Sequence, residues 1–264
     1  MELWLRLGVF VLVFSLMLLW EWRGPFRAFE QNKSERFLIN VGLMLTNFVF
    51  LRLLSGGGAF LAAVYADQHG IGLFHRIELA PWASAVLSLL ILDCAIYFQH
   101  RVFHRVPLLW RIHRVHHCDM GFDTSTAVRF HAVEIVLSMY YKMILVVLLG
   151  VSPWTVVLFE IILNACALFN HGNVRLPSHW DRRLRLLLIT PDMHRVHHSS
   201  IVHETNSNYG FSVPWWDRLF GTYCPSPALG HAGMEIGLPE ERDPGRLNFF
   251  RLLVLPLEKP GDPD

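Results

Sequence analysis

The sequence predicts an all-α fold: a polytopic membrane helical bundle of about four to five spans with a cytoplasmic histidine-rich helical cap. Three observations predict it. Apolar runs approaching the ~20 residues a spanning helix needs recur along the chain. The 264 residues are 53% hydrophobic and 17% charged, with a mean hydropathy of +0.34. Many of the fifteen histidines gather at the ends of those runs rather than inside them. So many long runs in one chain argue against buried helices of a soluble bundle.

The first run, 3–20, is broken only by Arg6 and lacks a small-residue cleavage pattern, so it reads as a retained anchor. The second, 37–54, ends at Ser55-Gly56-Gly57-Gly58, a helix breaker. The stretch 59–66 is too short to cross and is expected to lie at the interface or re-enter. The third run, 79–98, carries a single charge, Asp93. Runs 132–150 and 151–169 meet at Gly150-Val151-Ser152-Pro153, a tight turn, and predict a helical hairpin. The tail 256–264 is polar, Pro-rich and expected to be loose.

Arginine and lysine placement sets the orientation. Basic residues concentrate in 21–36, after the third run, and after 169; the loops between hold only Arg76. Five crossings satisfy this, with the N-terminus outside and the C-terminus in the cytoplasm. The net charge of +1 offers no basic surface for nucleic acid. The four cysteines form no Cys-x-x-Cys pair, which argues against a disulfide framework or a zinc ribbon.

The third run ends in "DCAIYFQHRVFHRV", with His100 and His104 four apart. "LWRIHRVHHCD" follows with His113, His116 and His117, and "TPDMHRVHHSS" repeats the phrase with His194, His197 and His198. Residues at i, i+3 and i+4 share a helix face. Neutral imidazole binds iron, zinc, copper or nickel, and eight imidazoles exceed one ion's needs, so two metals are the natural reading. His131 and His171 flank the hairpin at the same membrane face and are expected to join them. A pH-sensing or headgroup-binding histidine patch is the bland alternative. His69, His75, His179, His203 and His231 read as ordinary loop histidines, and Cys118 as a bystander.

Asp93 lies within a span, where a charge is costly and marks a functional candidate. It is expected either to orient a histidine from another segment or to bond Tyr97. Glu134, three residues after His131, is a second candidate for orienting a ligand. Glu160 faces a pocket or pairs with Lys142.

The chain resembles the fatty acid hydroxylase/sterol desaturase superfamily. The residues that carry the resemblance are the H-x-x-x-H and two H-x-x-H-H motifs, with "TSTAVRFHAVE", "NHGNVRLP", "NSNYG" and "WWDRLFGTY", from about residue 88 to 223. The resemblance implies an integral membrane di-iron oxygenase. It implies that the eight motif histidines are ligands and that His131 and His171 match further ligand positions. It also implies two Fe ions, O2 as co-substrate, and a fatty acyl, sterol-like or ether lipid substrate that is hydroxylated, desaturated or cleaved. With no haem domain evident, electrons would come from a separate electron-transfer protein or reductase. Residues 1–78 then form membrane anchor helices and a loop, 79–225 the catalytic domain, and 226–264 a tail. The host membrane would be the cell inner membrane in a bacterium or the endoplasmic reticulum in a eukaryote.

Two other classes compete. A zinc-dependent membrane hydrolase wants a general-base carboxylate, as in H-E-x-x-H, which is missing here. The other is a non-enzymatic metal transporter or lipid-binding membrane protein; a transporter would place its ligands at mid-depth rather than at span ends.

Overall fold

The computed structural model describes residues 1–28 and 31–259. The regular structure of those residues is helical, with no strand beyond an isolated bridge between Ser199 and Ile236. Five helical stretches are long and apolar enough to cross a membrane: Glu2–Arg23, Lys33–His75, Pro81–Arg105, Ala132–Leu149 and Pro153–Asn170. The chain is an integral membrane protein on this ground.

The first stretch is α1 (Glu2–Arg23). The second contains α2 (Lys33–Leu54), N-capped by Asn32, whose side chain accepts from the Ser34 and Glu35 amides, and then a shorter α3 (Gly58–Gln68). The eleven residues of α3 span only ~16 Å, too short to cross. Its Ala59, Ala63 and Ala66 are buried, and the small side chains let it pack closely against the later hairpin.

The third stretch is α4 (Pro81–Arg105), and the chain turns at Val106-Pro107 directly into α5 (Pro107–His117). Pro107 cannot donate to the preceding turn and its fixed φ suits a first helical position, so α4 stops and α5 starts there. The hairpin is α6 (Ala132–Leu149) and α7 (Pro153–Asn170). Gly150 makes its corner with φ 71°, and a Cβ there would meet His75 at 2.7 Å and the Ile71 carbonyl at 2.9 Å. Both conditions require glycine.

Short helices complete the polar cap: α8 (Ser178–Leu184), α9 (Pro191–His197), α10 (Val202–Thr205), α11 (Trp215–Leu219), α12 (Gly230–Gly233) and α13 (Phe249–Val254). One core lies within the spans, where Ala59, Ala63, Leu92, Ile96, Val146 and Phe159 pack together. A second joins α2 and α5 to the C-terminal segment through Leu43, Val115, Leu252 and Leu255. The outward faces of the long helices carry exposed Leu12, Leu16, Phe48, Leu53, Ile144 and Leu148. Such a continuous apolar surface is favourable only against lipid.

The tail is less loose than its composition suggests. Arg114 donates to the carbonyls of Leu255 and Glu258, and Arg111 to that of Leu257. These bonds hold it as far as residue 258; residues 260–264 lie outside the described residues. Glu160 pairs with Lys142 at 2.5 Å and also with Arg6, so charges from three spans neutralise one another.

Candidate metal centre

Local helix geometry arranges the motif histidines before any tertiary contact does. His100 and His104 sit one turn apart at the end of α4, and His113, His116 and His117 fill the last turn of α5. His194 and His197 belong to α9, with His198 at its C-terminal boundary. Thr190 N-caps α9 through the Met193 amide. Packing α4, α5, α7 and α9 at one level then brings nine imidazoles together.

They form two adjacent groups. His100, His104, His113, His117 and His197 make one; His116, His171, His194 and His198 make the other. Within each group, one nitrogen from every ring lies within 4.8 Å of the others. All nine are buried except His104, which is half-buried. The groups touch: the rings of His117 and His198 stack with centroids 4.5 Å apart.

Five of the nine rings have a fixed partner on Nδ1. His100 Nδ1 donates to the Tyr209 carbonyl at 2.8 Å, and His197 Nδ1 to the Ser207 carbonyl at 2.7 Å. His116 Nδ1 donates to the Arg129 carbonyl at 3.1 Å, and His171 Nδ1 to the Ala167 carbonyl at 2.8 Å. His113 Nδ1 meets Glu134 Oε1 at 2.7 Å. A carbonyl or a carboxylate accepts, so in these five rings the proton sits on Nδ1 and a lone pair on Nε2 faces inward.

Inside, those lone pairs face one another. His113 Nε2 lies 3.1 Å from His100 Nε2 and 3.2 Å from His117 Nε2. His171 Nε2 lies 3.2 Å from His116 Nε2 and 3.1 Å from His194 Nε2. Bare lone pairs at that distance repel. A cation between them removes the conflict: with metal–nitrogen bonds of about 2.1 Å, ligands at right angles sit about 3.0 Å apart and tetrahedral ones about 3.4 Å. His197 Nε2 and both nitrogens of His104 and His198 are buried without any protein partner. The residues therefore fit transition-metal ions, one per group.

Electrostatics favour the ligating form. Burial first, and neighbouring imidazoles second, push His116, His117, His194 and His198 well below the ordinary histidine range. Burial lowers His171 to about 4 and His197 to about 3, against the pull of their carbonyl partners. Near pH 7 these rings are neutral.

His131 does not join them. It is the N-cap of α6: Nδ1 accepts from the Val133 amide at 3.2 Å, and Nε2 donates to the Leu253 carbonyl at 3.1 Å. With both nitrogens engaged, the expectation that it is a ligand is corrected. His171 does join, because it closes α7 at the level of α5 and α9.

Asp93 also departs from expectation. It accepts from the Trp216 indole at 2.8 Å and bonds neither a histidine nor Tyr97, which pairs with Thr222 instead. The reason is that α11 presents Trp216 at the height of Asp93, below the histidines. Glu134 does meet a clustered histidine, His113. The five histidines read as loop residues stand outside both groups.

Sequence reasoning missed how the "NSNYG" and "WWDRLFGTY" phrases work. Asn208, with φ 49°, donates to the Met193 and Cys224 carbonyls and accepts from the Cys224 amide. Asp217 accepts from the Tyr209 amide at 2.8 Å, the Gly210 amide at 2.9 Å and the Thr222 hydroxyl at 2.7 Å. A Cβ on Gly210 would lie 2.8 Å from Asp217 Oδ2, so the carboxylate needs glycine there. These clamps hold the two carbonyls, Ser207 and Tyr209, that orient His197 and His100. A second missed network ties α2 to the 119–129 segment: Arg36 pairs with Asp119 and Asp123, and Arg129 donates to Asn40 and the Val115 carbonyl.

A cavity of about 330 Å³ opens beside the five-histidine group, within the spans. His100, His113, Phe103, Phe130 and Phe211 lie on its wall, and Phe10 and Phe48 reach it from α1 and α2. Phe130 also stacks on His116, with centroids 4.2 Å apart and planes at 9°, which covers the second group on that side.

Comparison with known proteins agrees with this geometry. The family model for fatty acid hydroxylases matches residues 85–222, which contain all nine clustered histidines. An ornithine lipid hydroxylase of Rhizobium tropici is 27% identical over 98% of this chain and 77% of its own length. An alkylglycerol monooxygenase of Xenopus tropicalis is 28% identical over 81% of this chain, which spans only 45% of that relative. A cholesterol 25-hydroxylase of Rattus norvegicus is 27% identical over 56% of this chain and 51% of its own length. No solved structure matches the chain.

Proposed function

Since the chain belongs to the fatty acid hydroxylase family, we propose that it is a membrane-bound di-iron oxygenase that uses O2 to hydroxylate or desaturate a lipid. The observation that carries the reading is the pair of buried imidazole groups at the end of an apolar cavity inside the spans. Relatives named for ornithine lipid, alkylglycerol and cholesterol support a lipid substrate. We place the site on the cytoplasmic face, from the arginine-rich segments that flank it, in the inner membrane of a bacterium or the endoplasmic reticulum of a eukaryote.

The nine histidines would hold the two irons, and iron there would supply the O2 chemistry that attacks an unactivated C–H bond. The protein's own part is positional. Glu134 and the carbonyls of Tyr209, Ser207, Arg129 and Ala167 fix the tautomers of His113, His100, His197, His116 and His171, so that Nε2 is the free donor of these five rings. Phe103, Phe130 and Phe211 keep bulk water from the reacting carbon. The lipid chain enters from the bilayer between helices and lies along the cavity toward His100 and His113. Hydroxylation consumes one O2, two electrons and two protons and releases one water. The electrons come from a separate protein donor.

The test is metal analysis and isotope labelling. Purified protein should contain close to two irons. With a reducing system and a lipid extract under 18O2, one labelled oxygen should enter a lipid product. Zinc in place of iron, or a product labelled only from water, would remove the proposal in favour of hydrolysis.

A further inference from the structure

The cavity beside the five-histidine group is not uniformly apolar. Polar side chains reach it from four helices: Asn47 on α2, Gln99 on α4, Glu134 and Ser138 on α6, and Asn164 on α7. All lie in membrane-spanning stretches, where a polar side chain is costly and no bulk water can satisfy it.

Their hydrogen bonds are incomplete in a consistent way. Asn47 Nδ2 donates to the Phe130 carbonyl at 3.0 Å, which fixes its amide orientation and leaves Oδ1 buried without a partner. Glu134 Oε1 accepts from His113 Nδ1, and Oε2 is buried without a partner. Gln99 Nε2 donates to Ser138, and Oε1 is again unpartnered. Asn47 and Glu134 are each more than nine-tenths buried. Three acceptor oxygens, on residues that line one cavity, are thus left without a donor. A buried acceptor without a donor is unfavourable, so a ligand that supplies the donor is selected over one that does not. The terminal torsions of Asn and Gln side chains are soft, so small turns let the amide oxygens meet such a ligand.

We propose that the cavity selects lipids that carry a hydrogen-bond donor, a hydroxyl or an amide N–H, close to the carbon that reaches the histidines. A lipid presenting only alkyl chain, ester or ether at that position leaves all three oxygens unpaired and is discriminated against. This inference rests on reading the cavity as the substrate channel. It goes beyond that reading by stating what the substrate must bear there.

The experiment measures binding, so it does not depend on turnover. The full-length protein in detergent micelles is titrated with four probes of equal chain length: hexadecan-1-ol, hexadecanamide, methyl hexadecyl ether and hexadecane. Each titration follows the shift of the thermal unfolding midpoint, from which a Kd is obtained. The alcohol, the amide or both should bind about 10-fold more tightly than the ether and the alkane, as one or two satisfied acceptors allow. Which of the two is tighter identifies the donor as O–H or N–H.

Two apolar variants localise the effect. In Asn47→Leu and in Gln99→Met the preference should shrink several-fold while alkane binding holds or improves. Gln99→Met keeps the side-chain volume and decides the matter if Asn47→Leu folds poorly. Equal affinities for alcohol, amide, ether and alkane in the wild type would overturn the proposal, as would a preference that survives unchanged in the folded variants. Donor selectivity without any oxygenation would instead overturn the oxygenase reading alone.

Discussion

Changing Asp217 to Asn tests whether the five-histidine group depends on the clamp behind it. The Asp217 carboxylate accepts from two backbone amides and one hydroxyl, and it is buried. An asparagine keeps one acceptor oxygen and must turn its NH2 toward at least one of these donors. If the NH2 faces Gly210, that amide is left unpaired, a loss of about 1–3 kcal/mol. Against a total stability of about 5–15 kcal/mol, the chain still folds. The displaced 207–210 loop carries the carbonyls that orient His197 and His100, and both belong to the five-histidine group. The other group takes its supports from Arg129 and Ala167, on different segments. Loss of such a supporting bond typically lowers metal affinity about 10–100-fold. Asp217→Asn should therefore lose metal from one group and keep it in the other. The assay is metal content by mass spectrometry alongside the iron spectrum, with His197→Ala and His194→Ala as references. The residual spectrum should match that of His197→Ala. Full metal in both groups of the folded variant, or equal loss from both, would refute the argument.

Three further outcomes follow from the same geometry. His131→Ala should keep its metal and lose about 1 kcal/mol of stability with its helix cap, whereas His116→Ala should lose metal; parallel metal analysis and thermal melts check both, and metal loss in His131→Ala would return that residue to the site. Glu134→Ala frees His113 to choose the wrong tautomer, and an iron titration should show affinity about 10–100-fold lower with the helical circular dichroism unchanged; unaltered affinity would show the carboxylate to be incidental. In metal-free protein, unfolded histidines take protons near pH 6.5 while His171 and His197 resist until about 4 and about 3. The unfolded state binds more protons in that window, so stability should be constant above pH 7 and fall as the pH drops from 6.5 toward 4; a denaturation midpoint that stays level from pH 7 to 5 would contradict the burial of these rings.

The parts legible in the sequence are those with local causes. The apolar runs became the long helices because hydrocarbon admits no other open backbone. The spacings of His100 with His104, and within each H-R-V-H-H phrase, placed the rings on shared faces because 3.6 residues make a turn. Gly150-Val151-Ser152-Pro153 marked the hairpin corner, where Gly150 takes a left-handed φ.

Only the tertiary structure decided how the histidines divide. His116 and His117 are neighbours in sequence yet fall into different groups, since successive helical residues point about 100° apart toward different partners. His131 and His171 looked equivalent, one entering the hairpin and one leaving it. The Leu253 carbonyl and the start of α6 claim His131, while the approach of α5 and α9 claims His171. Asp93 goes to Trp216 because α11 folds back onto α4 at its height, a contact between residues 123 apart in the chain. Periodicity orients a side chain about its own helix axis. Which atom it then meets depends on the long-range packing of segments, and that information is held by no single segment.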